Sequence, residues 1–173
     1  VEDVCAAEDY ESWRKVRQAV EARGAGAVTV LGNEVFANDL DLIRTGVAEG
    51  WAGGATLASE RLRTATDVLD AASLFTFLKP KPSRVVLQHR PGPSAGVLDA
   101  DLAVGLGAWA IICGPPGPLS VSKYNRLIEI ERLIEELQTD GVAHVKSWQT
   151  LLEEEDAAAA AYAEQVAQAE QGP

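Results

Sequence analysis

The sequence predicts an α/β domain in three layers, with a mostly parallel sheet of three to four strands and helices on both faces. Two observations predict this class. Short apolar, β-branched runs alternate along the chain with longer amphipathic stretches, and glycine or proline turns separate them. The alternative is a mainly α protein in which the run Ala108–Cys113 ends a buried helix, because periodicity alone does not separate these readings.

The first half of the chain predicts three helices and one strand. The first helix carries Trp13, Val16 and Val20 on one side. The strand is short, β-branched and apolar, which is typical of a buried strand. The predicted elements are helix Glu8–Arg23, strand Ala27–Leu31, helix Glu34–Glu49 and helix Thr56–Leu78.

The second half alternates strands and helices more regularly. Prolines separate the preceding helix from the next strand, since proline lacks the backbone N–H that a helix needs. Serines at helix starts are read as N-caps. The predicted elements are strand Arg84–His89, a helix from Ser94 to Ala103, strand Ala108–Cys113, a helix from Ser120 or Ser122 to Gln138, and strand Val142–Lys146.

The last predicted helix, from Trp148 to Glu170, differs in composition from the others. It is rich in alanine and glutamate, and its apolar positions form a thin seam with little area to bury. We therefore divide the chain into an α/β domain, residues 1–146, and a C-terminal helix, residues 147–173, that projects from it or packs closely on it. The candidate interface residues on the seam are Leu152, Ala159, Tyr162 and Val166.

The net charge and the cysteine content disfavour some classes of function relative to others. The formal net charge of −11 disfavours binding to nucleic acid or to an anionic membrane, because like charges repel. The longest apolar tract is too short to span a bilayer. The two cysteines, Cys5 and Cys113, have no metal-ligand spacing and favour a reduced, cytoplasmic chain.

The turn Gly114–Pro118 lies between a strand and a helix, which is the layout of a phosphate-binding loop. The spacing to Lys123 does not fit a P-loop, and no Lys-Ser/Thr pair follows the second glycine. Its three prolines also remove backbone N–H donors that would hold a phosphate. The turn is therefore read as a rigid structural connection, with Ser120 at the helix start as the remaining candidate anion contact.

His89 and Arg90 form the main candidate ligand site. They lie at the carboxyl end of a predicted parallel strand, where open α/β sheets bind ligands. Arg90 can hold a carboxylate or phosphate through paired N–H bonds, and His89 can act as an acid or base near neutral pH. The competing interpretation is a solvated surface turn.

An acidic group, Asp39 and Asp41, follows the first predicted strand and completes the candidate pocket. Carboxylates here can bind a hard cation or a ribose, or simply cap the following helix. No metal site and no cofactor is identified from these residues.

Two classes of function remain. The favoured prediction is a non-catalytic interaction or assembly module that associates through its C-terminal helix with a protein partner or a second copy. This preference depends on the absence of a recognisable catalytic motif and on the alanine-rich C-terminal helix with its apolar seam and acidic flank. The alternative is a small α/β enzyme or sensor domain that binds an anionic ligand at the strand ends, with His89, Arg90 and Ser120 as contacts.

Overall fold

The computed structural model describes residues 1–22, 28–76, 84–89 and 96–137, and also Ala157, Ala160 and Glu164. The described regions contain four parallel strands, each followed by a helix. The elements are α1 (Tyr10–Ala22), β1 (Leu31–Gly32), a 3₁₀ turn (Glu34–Phe36), α2 (Leu40–Glu49), β2 (Gly54–Ala58), α3 (Ala65–Thr76), β3 (Arg84–Gln88), α4 (Leu98–Gly105), β4 (Ala110–Ile112) and α5 (Pro118–Leu137).

The strands lie side by side in the order β1-β2-β3-β4, which is also their order along the chain. All three neighbouring pairs are parallel. A parallel pair needs a crossover connection, and a helix supplies it in each case. The carboxyl ends of the strands therefore meet at one edge of the sheet. The α/β class and the parallel sheet predicted from the sequence are confirmed.

The core lies between the sheet and its helices. Alternate residues of the central strands enter it, among them Leu57 of β2 and Leu87 of β3, both fully buried. Phe36 and Phe75 meet edge to face, with ring centroids 5.6 Å apart. Trp13 on α1 is also fully buried, and its indole N–H donates to the carbonyl oxygen of Ala6 at 2.9 Å. This packing holds the strand ends in a defined place.

The predicted helix Thr56–Leu78 is wrong in its first part, because Gly54–Ala58 forms the central strand β2. All five of its residues are buried, so the run carries no alternation of polar and apolar positions. Such a short run resembles the start of a buried helix in sequence. The helix itself begins only at Ala65.

Other predicted boundaries also differ. The predicted helix Glu34–Glu49 is interrupted at Ala37 and Asn38, whose φ angles of 47° and 54° are left-handed. The strand predicted over Ala27–Leu31 is shorter, with β1 at Leu31–Gly32. The helix predicted to start at Ser120 or Ser122 begins at Pro118, since proline suits the first turn, where its missing N–H costs no hydrogen bond.

The remaining predictions concern the C-terminal region and the location of the chain. The predicted strand Val142–Lys146 lies outside the described residues, as do Leu152, Ala159, Tyr162 and Val166. Ala157, Ala160 and Glu164 are helical, within the predicted range Trp148–Glu170. The division at residue 146 stays a prediction, and so does a cytoplasmic location. None of the described helices combines the length and the apolarity that a membrane crossing requires.

Candidate ligand site at the carboxyl ends of the strands

Three side chains follow β2, β3 and β4 at the same level. Ala58, Gln88 and Ile112 are the last residues of these strands and pair with one another in register. The next residue in each case is Ser59, His89 or Cys113. The backbone N–H of His89 donates to the carbonyl oxygen of Ile112 at 3.0 Å, which extends the pairing by one step. These residues form the edge where parallel-sheet and barrel proteins place their ligand sites.

His89 lies against a buried carboxylate. Its Nδ1 is 2.9 Å from Oδ2 of Asp99, on α4, and the two side chains are only 11% and 10% exposed. This contact is at ion-pair distance but lacks the angle of a hydrogen bond. Nδ1 and Nε2 of His89 therefore both lack a hydrogen-bond partner among the described residues. Ser59 donates its hydroxyl to the other carboxylate oxygen, Oδ1. Asp99 therefore joins the ends of β2 and β3.

Cys113 and Lys123 lie beside this group. Lys123 is fully buried, and its Nζ is 3.5 Å from the carbonyl oxygen of Leu119. Burial raises the pKa of the Cys113 thiol, and the Lys123 ammonium offsets part of this rise. A thiol with a raised pKa is a poor nucleophile near neutral pH. Ser59 donates its hydroxyl to the carboxylate of Asp99 and not to an imidazole, so it lacks the serine–histidine pairing of an activated nucleophile.

A second polar cluster, which we call the amide centre, consists of Glu2, Asn33 and Gln88. The side-chain nitrogen of Asn33 donates to Oε1 of Glu2 at 2.9 Å and to Oε1 of Gln88 at 3.3 Å. Successive side chains of a strand point to opposite faces of the sheet. Leu87 enters the core between the sheet and the helices, so the next residue, Gln88, lies on the other face, which we call the inner face. The amide centre therefore lies on the inner face, whereas His89 and Asp99 lie on the helix side.

Two buried polar atoms on this inner face lack hydrogen-bond partners among the described residues. They are Oδ1 of Asn33 and Oγ1 of Thr56, in residues that are 7% and 1% exposed. Gly32 pairs with Ala55, so Thr56 and Asn33 are the next pair in register. One atom is an acceptor and the other can donate. A polar ligand group or an ordered water would satisfy both.

His89 lies at this edge of the sheet, whereas Asp39, Asp41 and Ser120 form hydrogen bonds or ion pairs with residues close to them in sequence. Asp39 caps α2, with its Oδ1 accepting the N–H groups of Asp41 at 2.9 Å and Leu42 at 3.0 Å. Asp41 also pairs with Arg44 at 3.1 Å. The hydroxyl of Ser120 donates to the carbonyl oxygen of Pro115 at 2.6 Å. Ligand binding by Asp39, Asp41 and Ser120 stays a prediction, and Arg90 lies outside the described residues.

Several residues of the edge were missed from the sequence. Asp99 lies in the helix predicted from Ser94 to Ala103, but the sequence does not show that this helix packs against the end of β3. Ser59 was missed because the end of β2 was predicted to be helical. Glu2 was missed because it precedes the first predicted helix, and its parallel bridge with Leu31 is visible only in the structure. Asn33 had a usable signal, since only Gly32 separates it from the predicted strand Ala27–Leu31.

Comparison with known proteins identifies the family. The family model described as enolase, C-terminal TIM barrel domain, matches residues 1–149. The enolase of Acidothermus cellulolyticus is 29% identical over 137 residues, which cover 79% of this chain and 30% of that enolase. The chain thus spans less than a third of the length of this relative. The chain belongs to the family of enolase C-terminal barrel domains, whose α/β fold agrees with the parallel sheet described above.

This finding overturns the favoured functional prediction. A non-catalytic assembly module that associates through its C-terminal helix is wrong, because the family match supports an enzyme-type function. The inference failed because it depended on the lack of a recognised motif. In a barrel enzyme, the site comes from the ends of several strands and leaves no contiguous signature. The alternative, an enzyme that binds an anionic ligand at the strand ends, agrees better with the family.

Sites of the enolase superfamily combine a lysine or histidine base with one or two Mg²⁺ ions. The described residues only partly fit this arrangement. His89 is a histidine at a strand end, but the described regions contain no group of three or more histidine, cysteine, aspartate or glutamate side chains that could hold a metal ion. Magnesium needs near-octahedral oxygen ligands. The described donor set does not supply them, so no chemical step is assigned to the metal here.

Proposed function

We propose that this member of the enolase barrel family binds a small carboxylate- or phosphate-bearing substrate at the carboxyl ends of its strands and moves a proton on it, with His89 as acid and base. The observation that carries the proposal is the buried contact between His89 and Asp99 at the end of β3. A proton transfer next to a carboxylate is the reaction type of this superfamily.

His89 is favoured over the lysines among the described residues. Lys15 lies on α1, and its exposed side chain pairs with Glu11 of the same helix. Lys123 follows no strand, and its Nζ contacts a carbonyl oxygen of its own helix, α5. His89 directly follows β3, where barrel enzymes place catalytic groups. It therefore combines the required chemistry with the required position.

Asp99 supports this role by holding one side of the imidazole. A carboxylate near Nδ1 favours a proton on that nitrogen, which leaves Nε2 to exchange a proton with a substrate. The second carboxylate oxygen is satisfied by Ser59, so Asp99 is held from two directions. Arg90, the next residue along the chain, is the predicted partner of the substrate's anionic group.

The experiment is proton exchange in D₂O, which detects proton abstraction without knowledge of the product. The chain is incubated with lactate, malate, tartrate and phosphoglycerates, and loss of the substrate C–H signal is followed by NMR. We expect exchange into at least one compound, and a decrease of about 10²- to 10⁴-fold in His89→Gln. His144→Gln is the matched control, because the chain has two histidines.

Two outcomes would refute the proposal. The first is that no compound exchanges its proton or raises the melting temperature of the unsubstituted chain. The second is that His89→Gln, still folded by circular dichroism, exchanges the proton as fast as the His144→Gln control.

A further inference from the structure

We propose that the side-chain amide of Asn33 takes the place of a metal cation in the amide centre, so that the strand-end site of this chain operates without bound Mg²⁺. The inference concerns Glu2, Asn33 and Gln88, and it does not depend on the role of His89. The family arrangement joins acidic oxygens through a cation. Here an –NH₂ group with two N–H donors joins one carboxylate oxygen, of Glu2, and one amide oxygen, of Gln88.

The geometry assigns both donors of the amide. An asparagine –NH₂ carries two hydrogens and no acceptor. One hydrogen serves Glu2 at 2.9 Å, and the other serves Gln88 at 3.3 Å. These are the N···O distances of hydrogen bonds, whereas Mg²⁺ binds oxygen at about 2.0–2.1 Å. The space between the two oxygens is thus filled by a donor group that repels a cation.

The neighbouring carboxylate is also engaged. Oδ1 of Asp3 accepts the backbone N–H of Asn33 at 2.9 Å and that of Glu34 at 3.2 Å. Asp3 therefore supports the turn after β1. Glu2 remains the one carboxylate in the amide centre, and its residue is exposed to solvent. A single solvated carboxylate is a weak magnesium ligand set, since such sites use several oxygens in fixed octahedral positions.

The direct test is metal binding by the unsubstituted chain, measured with Mn²⁺ by electron paramagnetic resonance and with Mg²⁺ by thermal unfolding against NaCl of equal ionic strength. We expect no bound Mn²⁺ at the strand ends and no rise in melting temperature with Mg²⁺. Tight binding that Glu2→Gln removes would overturn the proposal. The first measurement uses the unsubstituted chain, so its result does not depend on a variant that fails to fold.

The second test is Asn33→Asp, which replaces the donor group with a second carboxylate of almost the same shape. We expect the variant to be less stable than the parent without metal, because two carboxylates then repel. Mg²⁺ at about ten times its Kd should raise the folding equilibrium constant about 11-fold. Adding Glu2→Gln to the variant should remove this response.

Asn38→Asp is the matched control. Asn38 is equally buried, and its Oδ1 accepts the backbone N–H of Ala58 at 2.6 Å, an acceptor role that a carboxylate retains. We expect no response to Mg²⁺ in this variant. A folded Asn33→Asp protein that responds no more than Asn38→Asp would show that the amide does not occupy a cation position. His89 is unchanged throughout, so these results are distinguishable from a failure of the proposed proton transfer.

Discussion

The contact between His89 and Asp99 predicts a measurable energetic coupling. Asp99→Asn and His89→Gln, made singly and together, form a double-mutant cycle in which the coupling is the deviation from additivity. The two side chains are 11% and 10% exposed and 2.9 Å apart, so solvent screens them far less than a surface pair. Surface pairs contribute about 0–1 kcal/mol.

The coupling should nevertheless stay below the 3–5 kcal/mol typical of breaking a fully buried ion pair. Asparagine in place of Asp99 keeps a side-chain oxygen next to the imidazole, so His89 is not left without a polar neighbour. The carboxylate retains its hydrogen bond from Ser59 when His89 is replaced. We therefore expect a coupling of about 1–3 kcal/mol in the free energy of unfolding.

The assay is urea unfolding of the four proteins at constant pH, with equal m-values as the condition for comparing them. A control cycle uses Asp41 and Arg44, which are 3.1 Å apart but 90% and 53% exposed on α2. That pair should couple by no more than about 0.5 kcal/mol. If the His89–Asp99 coupling were as small as that of the control, the reasoning from burial would be refuted.

The class of the fold could be predicted because β3, β4 and most helices have distinct local patterns. The run Arg84–Gln88 is apolar between polar ends, and α5 carries its apolar residues at helical spacing. β2 could not be predicted in this way. The run Gly54–Ala58 is buried on both faces by its neighbours, and burial by neighbours is a tertiary property that leaves no period in the sequence.

Only part of the candidate site could be predicted from the sequence. His89 was found because it follows a recognisable strand. Its partners Asp99 and Ser59 come from α4 and from the end of β2, so their approach depends on the strand order. The amide centre depends on that order too, since Asn33 follows β1, Gln88 ends β3, and β2 lies between these two strands. Because β2 was predicted to be helical, neither the contacts of Asp99 with His89 and Ser59 nor the amide centre could be predicted.

Three further predictions test the packing on which this site depends. Gly54→Ala should destabilise the protein by roughly 1–3 kcal/mol or more, because the added Cβ would collide with the carbonyl oxygen of Arg84 in β3. Gly53→Ala is its control, since that Cβ would find ordinary contacts at 3.6 Å and beyond; equal urea midpoints for the two variants would contradict the close approach of β2 and β3. Cys113 should react with iodoacetamide only at more alkaline pH than an ordinary thiol, because burial raises its pKa and the thiolate is the reactive form. Lys123→Gln should shift this pH profile further upward by removing a charge that stabilises the thiolate, as measured by mass spectrometry of the alkylated peptide; an unchanged or lower profile would mean that Lys123 does not act on Cys113.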